Sequence, residues 1–206
     1  MIVITQKGRQ LMEKALNERK RINMFVRMME AAHLPDDFVD WLVDEGFFTA
    51  PASTKWHGAY EGGLFDHCFE VTESLVNFTD KMGLTWEHPR SPWIIGMFHD
   101  LCKIDCYEKV VDIAGVQMMG SDEVTGEKAH FIWNEGSQLF PGHGDKSVML
   151  LSRWLQPTEE EILCIRYHMG AYETKDWDFY DRAIRKYPNV LWTHTADMYA
   201  SKVKGV

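Results

Sequence analysis

The sequence predicts an all-α protein, a helical bundle with one short β-hairpin or flap insertion. Three observations support this class. Apolar residues recur at steps of three and four over long stretches. Helix start and stop signals flank those stretches, and the strand-like pattern is confined to residues 107–133. We expect the 206 residues to form a single domain, because a chain of this length buries enough surface for one core.

The first half predicts three helices and a loop. Residues 6–32 mix apolar residues with Lys, Arg and Glu at helical spacing, and a shorter helix fits 35–45 before Gly46. Residues 47–63 contain glycine, proline and small residues and predict a loop. The helix that follows carries a core-facing stripe of Leu64, Cys68, Val71, Leu75, Phe78 and Met82.

The second half predicts further helices around the hairpin. Ser91 and Pro92 form a helix start, and the residues after them are apolar nearly all round, so that helix should be central. Thr158 and Glu161 have the spacing of a capping box. The predicted elements are helices over 93–106, 145–155, 158–169 and 189–202, with the hairpin or flap over 107–133.

The charge balance restricts the partners of the protein. Thirty-one acidic residues against 22 basic ones give a net charge of −9, so we expect no stable binding to duplex DNA. A phosphorylated substrate therefore requires a local positive feature, such as bound metal ions. The sequence has no apolar run long enough for a membrane span and no signal-peptide pattern, so we expect a cytoplasmic protein without a membrane partner.

Four polar residues lie where the helical pattern demands apolar ones. His67 is beside the stripe, His99 and Asp100 follow an apolar run, and Asp197 lies among small and polar neighbours in the last helix. Each has an ordinary structural explanation, such as a hydrogen-bonded core histidine or an aspartate paired with arginine. However, a buried ionised carboxylate costs several kcal/mol without a partner, and one shared metal ion would satisfy all four residues.

This order of residues resembles the H…HD…D signature of the HD-domain superfamily of metal-dependent phosphohydrolases. The resemblance covers roughly residues 55–204 and implies an HD-type helical core there, preceded by an N-terminal helical extension over 1–50 that it does not explain. The motifs that carry it are the run 57–64 before His67, the HDxxK element 99–103, Gly142-His143-Gly144, Tyr167-His168 and the run 194–197.

The resemblance implies a metal site that binds one or two ions. By resemblance to the two-metal members, Asp100 would bridge the two ions. His67, His99 and Asp197 would complete one site, and His143 and His168 would hold the other ion. Several imidazole ligands favour Mn, Fe, Co, Ni or Zn over Mg, which prefers oxygen ligands. By itself, His143 is also compatible with an ordinary loop histidine between two glycines.

Asp100, Lys103 and His57 are the candidate catalytic residues. Lys103 lies one turn after His99, where it could hold a substrate phosphate at the rim of the site or form a structural salt bridge. His57 precedes the site on a loop and could serve as a proton donor or a substrate contact.

The implied function is hydrolysis of a phosphate ester or phosphodiester of a nucleotide or short oligonucleotide, by a hydroxide that bridges the metal ions. We therefore expect a small phosphorylated substrate. Two alternatives use the same residues. Some HD-fold proteins are di-iron oxygenases of small molecules, and a catalytically inactive nucleotide-binding sensor is also compatible with the sequence.

Overall fold

A computed structural model of the chain describes residues 6–112, 128–140, 142–170 and 177–206. Within these ranges the fold is mostly helical with one two-stranded antiparallel sheet, which confirms the predicted class. The helices are α1 (Gln6–Met29), α2 (Asp36–Asp44), α3 (Gly63–Met82), α4 (Ser91–Phe98), α5 (His143–Leu151), α6 (Glu159–Arg166), α7 (Trp177–Lys186) and α8 (Asn189–Met198). The strands are β1 (Tyr107–Asp112) and β2 (Lys128–Trp133).

The stripe along α3 packs into the core over most of its length. Leu64, Cys68, Val71 and Leu75 are fully buried. Met82 is 58% exposed, so its predicted place in the core is wrong. The reason is local, because α3 ends at this residue and Gly83 follows it in the left-handed conformation, with a φ of 66°.

The helix predicted over 93–106 is shorter than expected. The α-helix ends at Phe98, and a 3-10 turn over Leu101–Ile104 replaces its second half. The backbone leaves the helical conformation at Asp100, with φ −106° and ψ 20°. Neighbours on a continuous helix point about 100° apart. The break changes the direction of Asp100 relative to that of His99.

The remaining helices follow the sequence signals with one exception. Thr158 and Glu161 form the predicted capping box at the start of α6. α8 continues as a π-helical turn over Tyr199–Lys204. The sequence analysis did not predict α7, although half of its ten residues are apolar and alternate with charged ones at helical spacing.

The hairpin confirms the strand-like pattern. Tyr107 lies opposite Trp133, and Lys109 lies opposite Phe131. The residues between the strands, 113–127 of the predicted hairpin or flap, lie outside the described residues.

The core forms around α3 and α4. Phe25 of α1 and Phe38 of α2 both contact Phe98 at the end of α4, so the first 50 residues contribute to the same core as α4. Along the described part of the chain, every helix is too short or too polar to cross a membrane.

Candidate metal site

Four buried side chains from three helices meet at one point. His67 is on α3, His99 and Asp100 follow α4, and Asp197 is on α8. The Nε2 atom of His67 lies 3.1 Å from both His99 Nε2 and Asp197 Oδ1. Asp100 Oδ2 lies 3.5 Å from the Nε2 atoms of His67 and of His99. The structure therefore brings these four sequence-predicted residues together.

His168 approaches the same cluster from the opposite side of Asp100. It lies just beyond α6 and is fully buried, with Nε2 3.4 Å from Asp100 Oδ1. The two oxygens of Asp100 thus face different histidines. Asp100 Oδ1 and His168 Nε2 are both buried, and neither makes a hydrogen bond to the described part of the chain.

Two glycines allow the helices to come this close. A Cβ at Gly96 of α4 would lie 2.5 Å from Thr72 Cα of α3. A Cβ at Gly144 of α5 would lie 2.4 Å from the backbone oxygen of Arg166, two residues before His168. Both separations are below any real contact of a Cβ atom, so a larger residue at either position would push apart the elements that carry the cluster.

Backbone contacts show which ring nitrogen donates in each of the three buried histidines. Nδ1 of His99 lies 2.8 Å from the carbonyl oxygen of Gly96, and Nδ1 of His168 lies 2.7 Å from that of Ile165. Nδ1 of His67 lies 3.0 Å from the backbone oxygen of Val206. Because these oxygens can only accept, each Nδ1 donates, and a ring that carries its single proton there has a lone pair at Nε2.

The Nε2 atoms of these rings and the carboxylates of Asp100 and Asp197 converge, which is an arrangement that a metal ion can complete. The donor atoms of His67, His99 and Asp100 are close enough to share one ion. Ligands bound at about 2.1 Å and at about 90–109° to each other lie about 3.0–3.4 Å apart. The observed distances of 3.1–3.5 Å fit that spacing. The cluster can therefore hold a metal ion.

Burial and charge keep His99 neutral and the two aspartates ionised, the states in which these groups bind a metal. Burial lowers the pKa of His99 to about 3, so the ring is neutral and able to coordinate. Burial alone would raise the pKa of Asp100, but the Lys103 ammonium and the neighbouring histidines outweigh it and hold that pKa well below its usual range. The same competition between burial and histidines lowers the pKa of Asp197.

Lys103 is buried rather than at the rim of the site. Its side chain is enclosed and its Nζ lies 2.6 Å from Asp100 Oδ2. Burial opposes the charged form, but Asp100 raises the pKa of Lys103 and keeps the ammonium protonated. This contact is the salt bridge that the sequence left open as the alternative to a phosphate contact.

His57 lies against the cluster on the loop before α3. Its ring centroid is 5.0 Å from that of His67, and its buried Nδ1 has no hydrogen-bond partner among the described residues. Burial first, and then the neighbouring His67 and Lys103, lower the pKa of His57 to about 4. The loop is fixed by Gly58, whose φ is 58° and whose backbone oxygen would lie 2.0 Å from a Cβ at Gly63.

His143 is the first residue of α5, between the hairpin and α6. Its ring centroid lies 6.0 Å from that of Trp133 at the end of β2. The close approach of Gly144 to the end of α6 brings the start of α5 near the residues that lead to His168.

The sequence analysis missed three residues that support the cluster. His194 Nδ1 donates to the carbonyl oxygen of His168 at 2.7 Å, and Ser147 accepts a hydrogen bond from the backbone N–H of Cys102 at 3.1 Å. Lys146 Nζ lies 2.6 Å from Asp105 Oδ1 and so ties α5 to the segment after the HD pair. Of these three residues, only His194 could have been found from the sequence, because it lies one turn before Asp197 on the same predicted helix.

Comparison with known proteins supports a relationship to phosphodiesterases at a coarse level. The chain is 33% identical over 90 residues to the dihydroneopterin 2′,3′-cyclic phosphate phosphodiesterase of Methanocaldococcus jannaschii. The match covers 41% of this chain and 34% of the relative, so the chain spans about a third of that protein's length. No family model matches the chain. No solved structure matches it either.

Proposed function

We propose that the protein is an HD-type, metal-dependent phosphohydrolase that cleaves a phosphate ester or phosphodiester of a small molecule. The observation that carries this proposal is the buried convergence of three histidine Nε2 atoms on two aspartates, a donor set that suits a metal ion. The phosphodiesterase relative supports the reaction class.

His67, His99, Asp100 and Asp197 would hold one ion, because their donor atoms lie together on one side of Asp100. The other oxygen of Asp100 faces His168, so a second ion would use these two groups together with His143. Bound divalent ions would supply Lewis acidity to a phosphoryl oxygen and would acidify the attacking water. They would also offset the negative charge of the protein where the phosphate binds.

The roles of the other candidate residues follow from their surroundings. Lys103 holds the carboxylate of Asp100 in its ionised form and places a second positive charge beside the site. His57 is neutral near pH 7, because burial lowers its pKa to about 4. A neutral imidazole has one N–H donor and one acceptor nitrogen, so His57 would contact the leaving oxygen of the substrate through a hydrogen bond, and the proton would come from water.

We infer that the substrate is a nucleotide, a cyclic nucleotide or a short oligonucleotide. The net charge of −9 disfavours a long polyanion, whereas a single phosphate group needs only the charge of the site. The relative is named for a small cyclic phosphodiester, which makes 2′,3′-cyclic nucleotides a sensible first class of substrates to assay.

The test is turnover by protein loaded separately with Mn²⁺, Fe²⁺, Co²⁺, Ni²⁺ or Zn²⁺. The substrates are 2′,3′-cyclic nucleotides, nucleoside monophosphates and short oligonucleotides. We expect turnover that chelation abolishes, that His67→Ala lacks, and that His88→Ala, a change at an exposed histidine, retains.

Turnover that survives both chelation and His67→Ala would reject the proposal. Oxygen uptake by the iron-loaded protein, without phosphoester cleavage, would favour the di-iron oxygenase instead. Nucleotide binding without any turnover would favour the sensor.

A further inference from the structure

Trp133 is a large aromatic side chain beside the candidate site and outside the hydrophobic core. It is the last residue of β2 and is 42% exposed, and it does not belong to the cluster of apolar side chains that forms the core. Its ring contacts two other rings. Tyr107 lies 5.5 Å away between centroids, and His143 lies 6.0 Å away. The exposed part of the indole can contact a ligand.

The position of Trp133 is fixed by its neighbours. Tyr107 is its cross-strand partner, and the Tyr107 hydroxyl donates to the backbone oxygen of Ala52 at 3.3 Å. The backbone N–H of Asn134, the next residue, donates to the carbonyl oxygen of Cys106 at 2.9 Å. The strand pair and these contacts therefore hold the indole in one place while part of it remains open to solvent.

The same contacts connect Trp133 to the candidate metal site. β1 starts just after the 3-10 turn that follows Asp100. The charges of Lys103 and Asp100 act on the half-buried Tyr107 hydroxyl. Burial is the main reason that the pKa of Tyr107 rises to about 12. On the other side of the indole, His143 is one of the residues proposed to bind the second ion. Trp133 thus stands at the edge of the site between the hairpin and α5.

Two basic residues near this edge are each paired with a carboxylate. Lys109 lies 3.3 Å from Glu61, and Lys146 lies 2.6 Å from Asp105. The exposed feature here is therefore an aromatic face rather than a cation. A substrate that carries its phosphate at the metal site would present the remainder of its structure to that face.

We propose that the indole of Trp133 stacks on a planar heteroaromatic ring of the substrate, a nucleobase or a comparable fused heterocycle. This inference rests on the proposed function, because it assumes that the phosphate binds at the metal site. Stacking on an aromatic side chain strengthens binding by about 5- to 150-fold per base and tolerates any base, since every base has a π-face. The ring would thus distinguish the substrate from a simple sugar phosphate.

The test compares two non-hydrolysable phosphonate analogues, one of adenosine 5′-monophosphate and one of ribose 5-phosphate. Their affinities for the metal-loaded full chain are measured by calorimetry. We expect wild type to bind the adenosine analogue at least about 10-fold more tightly than the ribose analogue. Trp133→Leu should remove most of that preference, and Trp133→Phe should retain part of it. The matched control is Trp177→Leu on α7, where the indole is 67% exposed, and it should retain the full preference.

Three outcomes would overturn the proposal: equal affinity of wild type for the two analogues, an unchanged preference in Trp133→Leu, or an equal loss of affinity for both analogues in a variant that keeps its metal. Metal content is therefore measured in every variant. If Trp133→Leu loses the metal, Trp133→Phe is the deciding variant, because its smaller ring must lower the preference for the adenosine analogue over the ribose analogue.

Turnover separates this inference from the proposed function. Phosphoester cleavage without any preference for the ring would reject only the stacking role. A preference for the ring without cleavage of any substrate would reject the hydrolase and leave a nucleotide-binding protein.

Discussion

Gly96 of α4 lies so close to the backbone of Thr72 on α3 that a side chain at Gly96 has no room. A Cβ at Gly96 would lie 2.5 Å from Thr72 Cα, and the carbonyl oxygen of Gly96 accepts the Nδ1–H of His99 at 2.8 Å. The same glycine therefore sets both the distance between the two helices and the orientation of the His99 ring. His67, on α3, then comes within 3.1 Å of His99.

Gly96→Ala should separate α3 from α4 and weaken metal binding. Although alanine favours helix by up to about 1 kcal/mol, overpacking costs typically about 1–3 kcal/mol. We therefore expect a lower free energy of unfolding and a reduced metal content, measured by denaturant titration and elemental analysis. Gly136→Ala is the control, because its new Cβ would meet only the side chain of Asn134 at an ordinary 3.5 Å. Full metal content in Gly96→Ala would contradict this explanation.

Removing the metal should lower the melting temperature. The buried acceptors of His67, His99 and Asp100 then lose the ion that would satisfy them. A ligand present at 100 times its dissociation constant stabilises the native state by about 2.7 kcal/mol. Thermal melts with a chelator, and again after adding Mn²⁺ or Zn²⁺, measure the effect. The exposed His88 belongs to no such cluster, so His88→Ala should show the same shift as wild type. A melting temperature that is independent of metal would mean that the cluster holds no ion.

Lys103→Met should destabilise the metal-free protein more than the metal-loaded one. Without Lys103 the buried carboxylate of Asp100 loses its partner at 2.6 Å, and breaking a buried pair costs about 3–5 kcal/mol. A bound ion would replace the missing positive charge. Unfolding titrations with and without metal test this.

Kinetics on the same Lys103→Met variant test the second role of the lysine. Loss of a phosphate contact should lower kcat/KM by about 10² or more. Unchanged kcat/KM would leave Lys103 with the salt bridge alone.

Asp100→Ala should abolish metal binding and activity, because Asp100 is the one residue whose two oxygens face both His67 and His168. The variant also leaves the Lys103 ammonium buried without its carboxylate, which by itself destabilises the protein. The double variant Asp100→Ala, Lys103→Met removes that second effect. Elemental analysis should find both variants without metal, whereas wild-type metal content in either would exclude the bridging role of Asp100.

Metal stoichiometry tests the division of ligands between two ions. Wild type should bind close to two ions per chain, and the double variant His143→Ala, His168→Ala close to one. Elemental analysis and metal titration give these numbers. Saturation of wild type at one ion would reject the second site and leave only the ion held by His67, His99 and Asp197.

Much of the helical framework could be predicted from periodicity and capping. The stripe on α3 and the capping box of α6 depend on contacts within a few residues, so local spacing is sufficient to detect them. The short helix α7 was missed although its apolar residues have helical spacing, and Met82 was misplaced because the pattern does not show where a helix extends beyond the core.

The candidate site was predictable only in part. Polar residues in apolar surroundings marked His67, His99, Asp100 and Asp197, since burying such groups is costly without a common partner. That argument gives no distances, and it could not decide between the two roles of Lys103. The burial of that lysine against Asp100 arises from the 3-10 turn, a backbone change that spacing alone does not signal.

The sequence by itself determined the helical class and the four residues that most needed a shared partner, because secondary structure and the cost of burial are local properties. Tertiary structure alone decided which atoms meet. The contacts of Gly96 with Thr72 and of His168 with Asp100 join residues that are distant along the chain. Their geometry depends on how whole helices pack, and a packing distance is a property of two surfaces together rather than of either segment alone.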